Sequence, residues 1–500
     1  MPAPSPLYCF GPFRLDPTAC RLFHDDRTVD LSPRLVDLLR VMVARPGDLL
    51  TKEELLSTLW PDVFVTENTL ARAISDLRHA LGDAPGEPQY IQTVARRGYR
   101  FIGQVEVKER SDGAGATPAP RAGDPLEPYR AWLQGRLHLE TLSSAALPDA
   151  LASFEHAVTL SPRDALLRTG LANARFLLYE TTRARNAPDR TLLDHAIADA
   201  REACDLDASL GEAWGTLAFV LAGAGSFTEA AAAGRRAVTL EPTSWRHRFR
   251  LAMATWGEER LRAVDHAIEL FPDFAFAHFV AAMVHIARRA LPAAEALLTR
   301  GAAIQDRQAG RPAKFPAAGL HWLLGLVCLA QGRTQEALEH FARERAFEPG
   351  GEIYATEFAV NACYATGCTH LALDDPAAAL RAFDHGLARL PGHARSRLGR
   401  AVATGRLGQR DEAIRLHAAV REALAELVAG GRPAEAAMVA AAQAAVLGRP
   451  DDALAILERL LTEAPWGFAG WMIPIEPLLA PLHGYPGFDR ALAMLAERAA

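Results

Sequence analysis

The sequence predicts a mainly α protein in two parts: an N-terminal α+β domain over residues 1–108 and an all-α repeat array over residues 125–500. Three observations carry this. Short alternating apolar segments occur only near the start of the chain, among turn residues, as strands require. Beyond residue 124 one amphipathic helical pattern follows another to the C-terminus. In that second region the same arrangement of small, aromatic and proline residues returns several times, which marks a stack of similar helical units.

Between the two parts, residues 109–124 (ERSDGAGATPAPRAGD) are rich in Gly, Ala and Pro and have no hydrophobic periodicity, the composition of a flexible linker. Five hundred residues exceed what one core supports, in keeping with a domain plus an array. Half of them are apolar and 23% charged, as in ordinary globular chains. Formal charge is −6 overall, and 13 basic residues against 14 acidic ones over residues 1–108, so any contact with nucleic acid must come from local placement of arginines. Six scattered cysteines make no disulfide framework. With no basic, apolar leader at the start and no apolar run approaching about 20 residues, the expectation is a cytoplasmic protein that makes no membrane contact.

In chain order, Tyr8 to Phe10, Phe13 to Leu15, Leu22 to His24 and Val29 to Leu31 alternate as strands. Ser32-Pro33 supplies an N-cap and a first-turn proline for a helix whose apolar face is Leu35, Leu38, Leu39 and Met42. Thr51 and Glu54 form a capping box for a second helix through Leu55, Leu56 and Leu59, with Pro61 following. A third helix runs from about Glu67 to Leu81 and stops at Gly82.

Winding the third helix at about 100° per residue puts Leu70, Ile74, Leu77 and Leu81 on one packing stripe. Asn68, Arg72, Ser75 and His79 fall opposite, with Asp76 and Arg78 on the flanks. A helix exposing donors behind another helix is suited to reading a major groove. Tyr90 to Val94 and Tyr99 to Ile102 then alternate around a hairpin tip, Ala95-Arg96-Arg97-Gly98, and from Pro88 to Val105 there are three arginines and no acid. A cationic hairpin beside such a helix suits phosphate and minor-groove contact.

Phe10-Gly-Pro-Phe-Arg-Leu-Asp16, Leu31-Ser-Pro-Arg34, Leu50-Thr-Lys-Glu-Glu-Leu55, Trp60-Pro61, Glu67-Asn-Thr-Leu70, Ile74-Ser-Asp-Leu-Arg-His-Ala-Leu-Gly-Asp83, Tyr90-Ile-Gln-Thr-Val94 and Arg97-Gly-Tyr-Arg-Phe101 stand in one order over roughly residues 8–105. Together they resemble the OmpR/PhoB-type winged-helix DNA-binding domain. The resemblance implies a four-stranded N-terminal sheet, three helices and a C-terminal wing, with the third helix as recognition helix. It implies that Asn68, Arg72, Ser75 and Arg78 face the DNA, with Asp76 and His79 on the same helix, and that Thr93, Arg96 and Arg97 belong to the wing or its flank. Trp60, Pro61, Asp62, Val63 and Phe64 correspond to the loop through which the family contacts RNA polymerase. Asp76 departs from the basic or neutral residue that several members carry there, so base preference does not transfer; an aspartate can accept from cytosine or shape the face through Arg72. No receiver domain with a phosphate-accepting aspartate precedes the domain, so the resemblance is to one-component regulators, without the transmembrane helix some of them have.

In the second region Trp214, Leu217, Ala218, Leu221, Ala230, Gly234, Ala237 and Pro242 stand at the spacing W-x2-L-G-x2-Y and A-x3-F-x2-A-x4-P. The second half recurs at Ala150, Phe154, Ala157, Pro162; at Ala337, Phe341, Glu344, Pro349; at Ala379, Phe383, Gly386, Pro391; and at Ala453, Leu457, Leu460, Pro465. Small residues sit where paired helices approach closely, and proline ends each unit. This pattern resembles the tetratricopeptide repeat, with about nine units in all and a closing segment, Ile473 to Leu495, as cap. Such arrays bind an extended peptide, a helix or another protein through the first helix of each pair. On that register the groove includes Glu212, Phe219, Arg246 and Phe249.

No nucleotide-binding, zinc-protease or serine-hydrolase motif occurs, so no enzyme activity, metal or cofactor is expected. Cys363, Cys368 and His370 lie close together, but Cys-x4-Cys suits one helix face poorly and reads as buried packing rather than a metal site. The cationic run Trp245-Arg-His-Arg-Phe-Arg250 reads as a solvated helix face, with an acidic peptide or a nucleotide as the alternative. The function expected is a one-component bacterial transcriptional regulator: the winged helix binds double-stranded promoter DNA, and the array receives a signal from a protein, peptide or small molecule. The alternative is a repeat scaffold or adaptor carrying a secondary DNA- or protein-binding module.

Overall fold

The computed structural model describes residues 7–16, 21–25, 27–29, 31, 33–52, 54–55, 67–83, 88–94, 97–108, 127–184, 188–309, 315–347, 351, 353–465 and 467–500. The chain divides into two compact units, residues 1–128 and 129–500. The linker over 109–124 lies outside the described residues.

In the first unit β1 (Leu7–Phe10), β2 (Phe13–Asp16), β3 (Arg21–His24) and β4 (Arg27–Val29) form an antiparallel meander. The fourth strand is Arg27–Val29 rather than Val29 to Leu31, because Leu22 pairs with Val29 in a tight return from β3. The helices whose bounds the described residues give here are α1 (Pro33–Val43) and α2 (Glu67–Leu81), with the short β5 (Leu50–Thr51) between them. The backbone N–H of Glu54 donates to Thr51 Oγ1 at 3.1 Å, the capping box that opens the second predicted helix. Beyond Leu55 that helix lies outside the described residues. The unit closes with β6 (Ile91–Val94), β7 (Gly98–Phe101) and β8 (Glu106–Lys108).

The sheet order corrects the expected four strands. β8 adds to β1, giving β4-β3-β2-β1-β8, so that the chain leaving the wing covers the edge of β1 and satisfies its backbone groups. β5, β7 and β6 form a second, three-stranded sheet. Both sheets pack on α1 and α2 around Phe10, Leu39, Met42, Leu77 and Phe101, all buried. Phe10 lies edge-on to Phe101 at 5.2 Å between ring centres and stacks with Phe13 at 5.5 Å.

In the second unit helices follow in pairs, each pair joined by a short turn that forces an antiparallel hairpin. The first helices are α3 (Glu127–Glu140), α4 (Leu147–Leu160), α5 (Ala165–Ala184), α6 (Arg190–Leu206), α7 (Gly211–Gly223), α8 (Phe227–Leu240), α9 (Trp245–Ala254) and α10 (Gly257–Leu270). The later ones are α11 (Ala275–Ala287), α12 (Leu291–Gln308), α13 (Leu320–Ala330), α14 (Thr334–Ala346), α15 (Ala355–Ala372), α16 (Pro376–Arg389), α17 (Ala394–Arg406), α18 (Arg410–Ala429), α19 (Pro433–Val446) and α20 (Pro450–Glu463). These eighteen helices make nine pairs among the described residues. Two short 3-10 turns, Ile473–Ile475 and Pro477–Leu482, and α21 (Pro486–Arg498) close the array.

The repeat signature has a packing cause. Phe154, Phe341 and Phe383, each on the second helix of a pair, are fully buried against glycines of first helices. A Cβ added to Gly135 or Gly170 would meet the Phe154 ring at 2.8 or 2.2 Å, and one added to Gly367 or Gly399 would meet the Phe383 ring at 2.5 or 2.3 Å. Phenylalanine therefore fills the space that glycine leaves at the pair interface, and the spacing of the two is set by close-packing. The result is a tetratricopeptide-type solenoid. Cys363 and Cys368 are buried within α15, in repeat packing.

Candidate functional site

On α2 the stripe Leu70, Ile74, Leu77 and Leu81 is buried, while Ser75, Asp76 and His79 are exposed on the other side. Gly82 ends the helix with φ +65°, and the N–H of Asp83 returns to the carbonyl of Arg78 at 2.9 Å, a helix stop that needs a left-handed residue. Asp83 is itself buried and accepts from the N–H groups of Gln89 (2.6 Å) and Ile91 (2.7 Å), so the residue just beyond α2 also anchors the first wing strand.

Arg78 completes that link. Its Nη2 donates to the carbonyl of Ile91 and to Thr93 Oγ1, both at 2.8 Å. Arg78 and Thr93 are thus brought together, and the arginine ties α2 to β6 instead of standing free on the helix flank. The wing is the β6–β7 hairpin, with Val94 opposite Gly98 and Arg97 exposed at its tip. Gly98 is required by close approach: a Cβ there would sit 2.0 Å from the carbonyl oxygen of Leu50 on β5. Arg96 lies outside the described residues, as do the side chains of Asn68 and Arg72 and the whole loop Trp60, Pro61, Asp62, Val63 and Phe64.

The second unit holds a cavity of about 630 Å³, and all four predicted groove residues, Glu212, Phe219, Arg246 and Phe249, line it. They come from the first helices α7 and α9. The solvated-face reading of Trp245 to Arg250 is corrected here: Trp245, Arg246, Phe249 and Arg250 line the cavity and His247 is fully buried, because neighbouring helices supply carboxylates that draw the cations inward. Arg246 pairs with Glu140 at 3.0 Å, Arg250 with Glu212 at 2.9 Å and His247 with Glu241 at 3.0 Å. The Arg246 guanidinium also lies 4.9 Å from the ring centre of Trp245 and 5.1 Å from that of Phe315. Burial pulls Arg246 below the usual arginine value. Burial opposes ionisation of Glu212 too, but Arg250, His247 and Arg246 together hold its carboxyl below the usual carboxylate range.

Backbone contacts between distant repeats wall this cavity. The N–H of Phe315 donates to the carbonyl of Glu140 at 2.9 Å, that of Ile353 to Leu142 at 2.8 Å, and that of Ser144 to Gly351 at 3.0 Å. The end of α3 thereby meets the segments that lead into α13 and α15, and these contacts wall part of the groove into a partly open chamber. The sequence holds no signal for this closure, since its partners stand more than 170 positions apart.

Among the described residues no group of three or more His, Cys, Asp or Glu is arranged to hold a metal ion, and no helix is long and apolar enough to cross a membrane.

The fold and this surface define a winged-helix DNA-binding domain joined to a helical-repeat array. Residues 26–101 match the family model described as transcriptional regulatory protein, C terminal, so the N-terminal unit carries an OmpR/PhoB-type domain. The chain is 33% identical over 98 residues to the transcriptional activator CadC of Escherichia coli, covering 19% of each chain. It is 35% identical over 74 residues to the cholera toxin transcriptional activator of Vibrio cholerae, 14% of this chain and 25% of that one. The chain thus spans a quarter or less of the length of these curated relatives. Among solved structures, yeast Tom70 is similar over 70% of this chain and 68% of its own, at 14% identity and a TM-score of 0.42.

Proposed function

We propose that the protein is a one-component transcriptional regulator: the N-terminal domain binds double-stranded promoter DNA and the array is its receptor module. The observation that carries this is the family match over residues 26–101 on a helix that exposes Ser75, Asp76 and His79 and is bound through Arg78 to a wing with Arg97 at its tip. In this reading α2 enters the major groove, with Asn68, Arg72, Ser75, Asp76 and His79 toward the bases, Arg96 and Arg97 hold phosphates, and Trp60 to Phe64 meet RNA polymerase. Arg78 and Thr93 position the wing against the helix. No catalytic role is assigned, and the relatives named above are regulators by name.

The test is a salt series of DNA binding by the full chain, on genomic fragments selected for binding. Replacing Arg96 and Arg97 with alanine should weaken binding to all sequences and flatten the salt slope by about one unit for each phosphate no longer neutralised. Arg72→Ala should instead cost about 1 to 3 kcal/mol of discrimination at one motif position. Removing residues 125–500 should abolish the promoter response in cells or make it constitutive. Normal regulation by the truncated protein under all growth conditions would leave the repeats as an independent adaptor.

A further inference from the structure

The cavity of the array is lined by four arginines and five glutamates. Each arginine is already matched: Arg136 and Arg246 share Glu140 at 3.2 and 3.0 Å, Arg250 pairs with Glu212 at 2.9 Å, and Arg183 pairs with Glu180 at 2.9 Å. Glu241 takes His247. Only Glu357, among the described lining glutamates, accepts no hydrogen bond and has no cation within 4.0 Å. Every lining arginine is therefore already held by a carboxylate and none stands free for an anion, while Glu357 is the lining carboxylate with no bonded cation.

Ten of its lining residues are aromatic, among them Trp132, Phe219, Trp245 and Phe274, and the Arg246 guanidinium over Trp245 and Phe315 shows that these rings hold a flat cation at close range. A volume of about 630 Å³ fits a small organic molecule, and the backbone contacts at Glu140, Leu142 and Ser144 wall the cavity on that side. Resting on the receptor reading above, we propose that the array binds a small organic cation, an amine on an aromatic body, with the nitrogen on Glu357 and the ring against the aromatic walls. Burial raises the Glu357 carboxyl above its usual value, against the pull of Arg183 and Arg432, and an ammonium seated on it would favour its charged form.

Isothermal titration of the full chain, without DNA, tests the site directly. The probes are 2-phenylethylamine and tryptamine, each set against an acid of matched shape, 3-phenylpropionate and indole-3-propionate. The amines should bind at least about tenfold more tightly than the acids. Glu357→Gln should cost the amines about tenfold or more while the far-ultraviolet spectrum is unchanged, and Ala317→Trp, which fills the chamber from another wall, should remove binding. Acids binding as tightly as amines, no binding by either amine, or full amine affinity in folded Glu357→Gln would each overturn the proposal. Should Glu357→Gln not fold, the comparison of amines and acids on the native chain decides. DNA affinity of the same preparation, read by fluorescence anisotropy, is a separate result: amines that bind without changing it would defeat the regulatory role of the array and leave the site standing.

Discussion

Arg246 and Glu140, 106 positions apart in the sequence, meet at 3.0 Å in the wall of the array's cavity, where Glu140 also holds Arg136 at 3.2 Å. One nearly buried carboxylate thus neutralises two half-buried guanidinium groups. Glu140→Ala should lower the stability of the array by about 1 to 3 kcal/mol, since it leaves both cations without their acceptor. Urea denaturation checks this. A double-mutant cycle with Arg246→Ala should show coupling above about 0.5 kcal/mol, and additive losses would mean the pair contributes nothing as a pair.

Arg78 offers a test of positioning against direct contact. Its Nη2 is committed to Ile91 and Thr93, so Arg78→Ala should loosen the wing: amide exchange in β6 should speed up and the domain should lose about 1 to 2 kcal/mol. DNA affinity should fall with the salt slope intact. A slope reduced by about one unit, with β6 protection unchanged, would make Arg78 a phosphate ligand instead.

The glycine-phenylalanine interlock predicts a steric cost. Gly399→Ala places a methyl 2.3 Å from the Phe383 ring, and the packed pair should lose about 1 to 3 kcal/mol. Phe383→Leu in the same chain should recover part of that loss. Thermal unfolding of the single and double variants measures both, and a Gly399→Ala protein as stable as the parent would refute the interlock.

Acid sensitivity should concentrate in the array. His393 caps α17 with Nδ1, which receives the Ser396 hydroxyl at 2.7 Å and the Ser396 N–H at 3.3 Å, so its ring must be neutral there. Burial pulls its pKa down to about 3, and that of His278 down to about 4. The unfolded chain takes up these protons near pH 6.5 and the folded chain does not. Each histidine's contribution to stability is therefore complete above about pH 6.5 and is lost as pH falls toward 4 and 3, at up to about 1.4 kcal/mol per pH unit. His393→Asn, which keeps a capping side chain without the titration, should narrow the gap between unfolding midpoints at pH 7 and pH 5. An unchanged gap would exclude His393 from the acid response.

Local pattern made much of the N-terminal unit legible. The Leu70, Ile74, Leu77 and Leu81 stripe, the Thr51–Glu54 capping box and the stop at Gly82 each express physics confined to a few neighbouring residues, and the structure has all three. The register of the repeats was legible for a related reason: an alanine, a phenylalanine four residues on and a closing proline are all requirements of one helix pair. The pairing of β8 with β1 and the bond from Arg78 to Thr93 were not, because each joins elements whose separation no periodicity encodes.

The amino-acid sequence by itself determined the helical pairs, the winged-helix order of elements and which helix faces are apolar, since backbone geometry and hydrophobic spacing act over a few residues at a time. Only the tertiary structure decided the fate of the cations. Trp245 to Arg250 has the composition of a wet surface, yet burial depends on carboxylates brought by other helices and on the closure of Glu140 with Phe315 and of Leu142 with Ile353. Charges interact through space rather than along the chain, so whether an arginine faces water or a walled chamber is fixed by how the repeats curve.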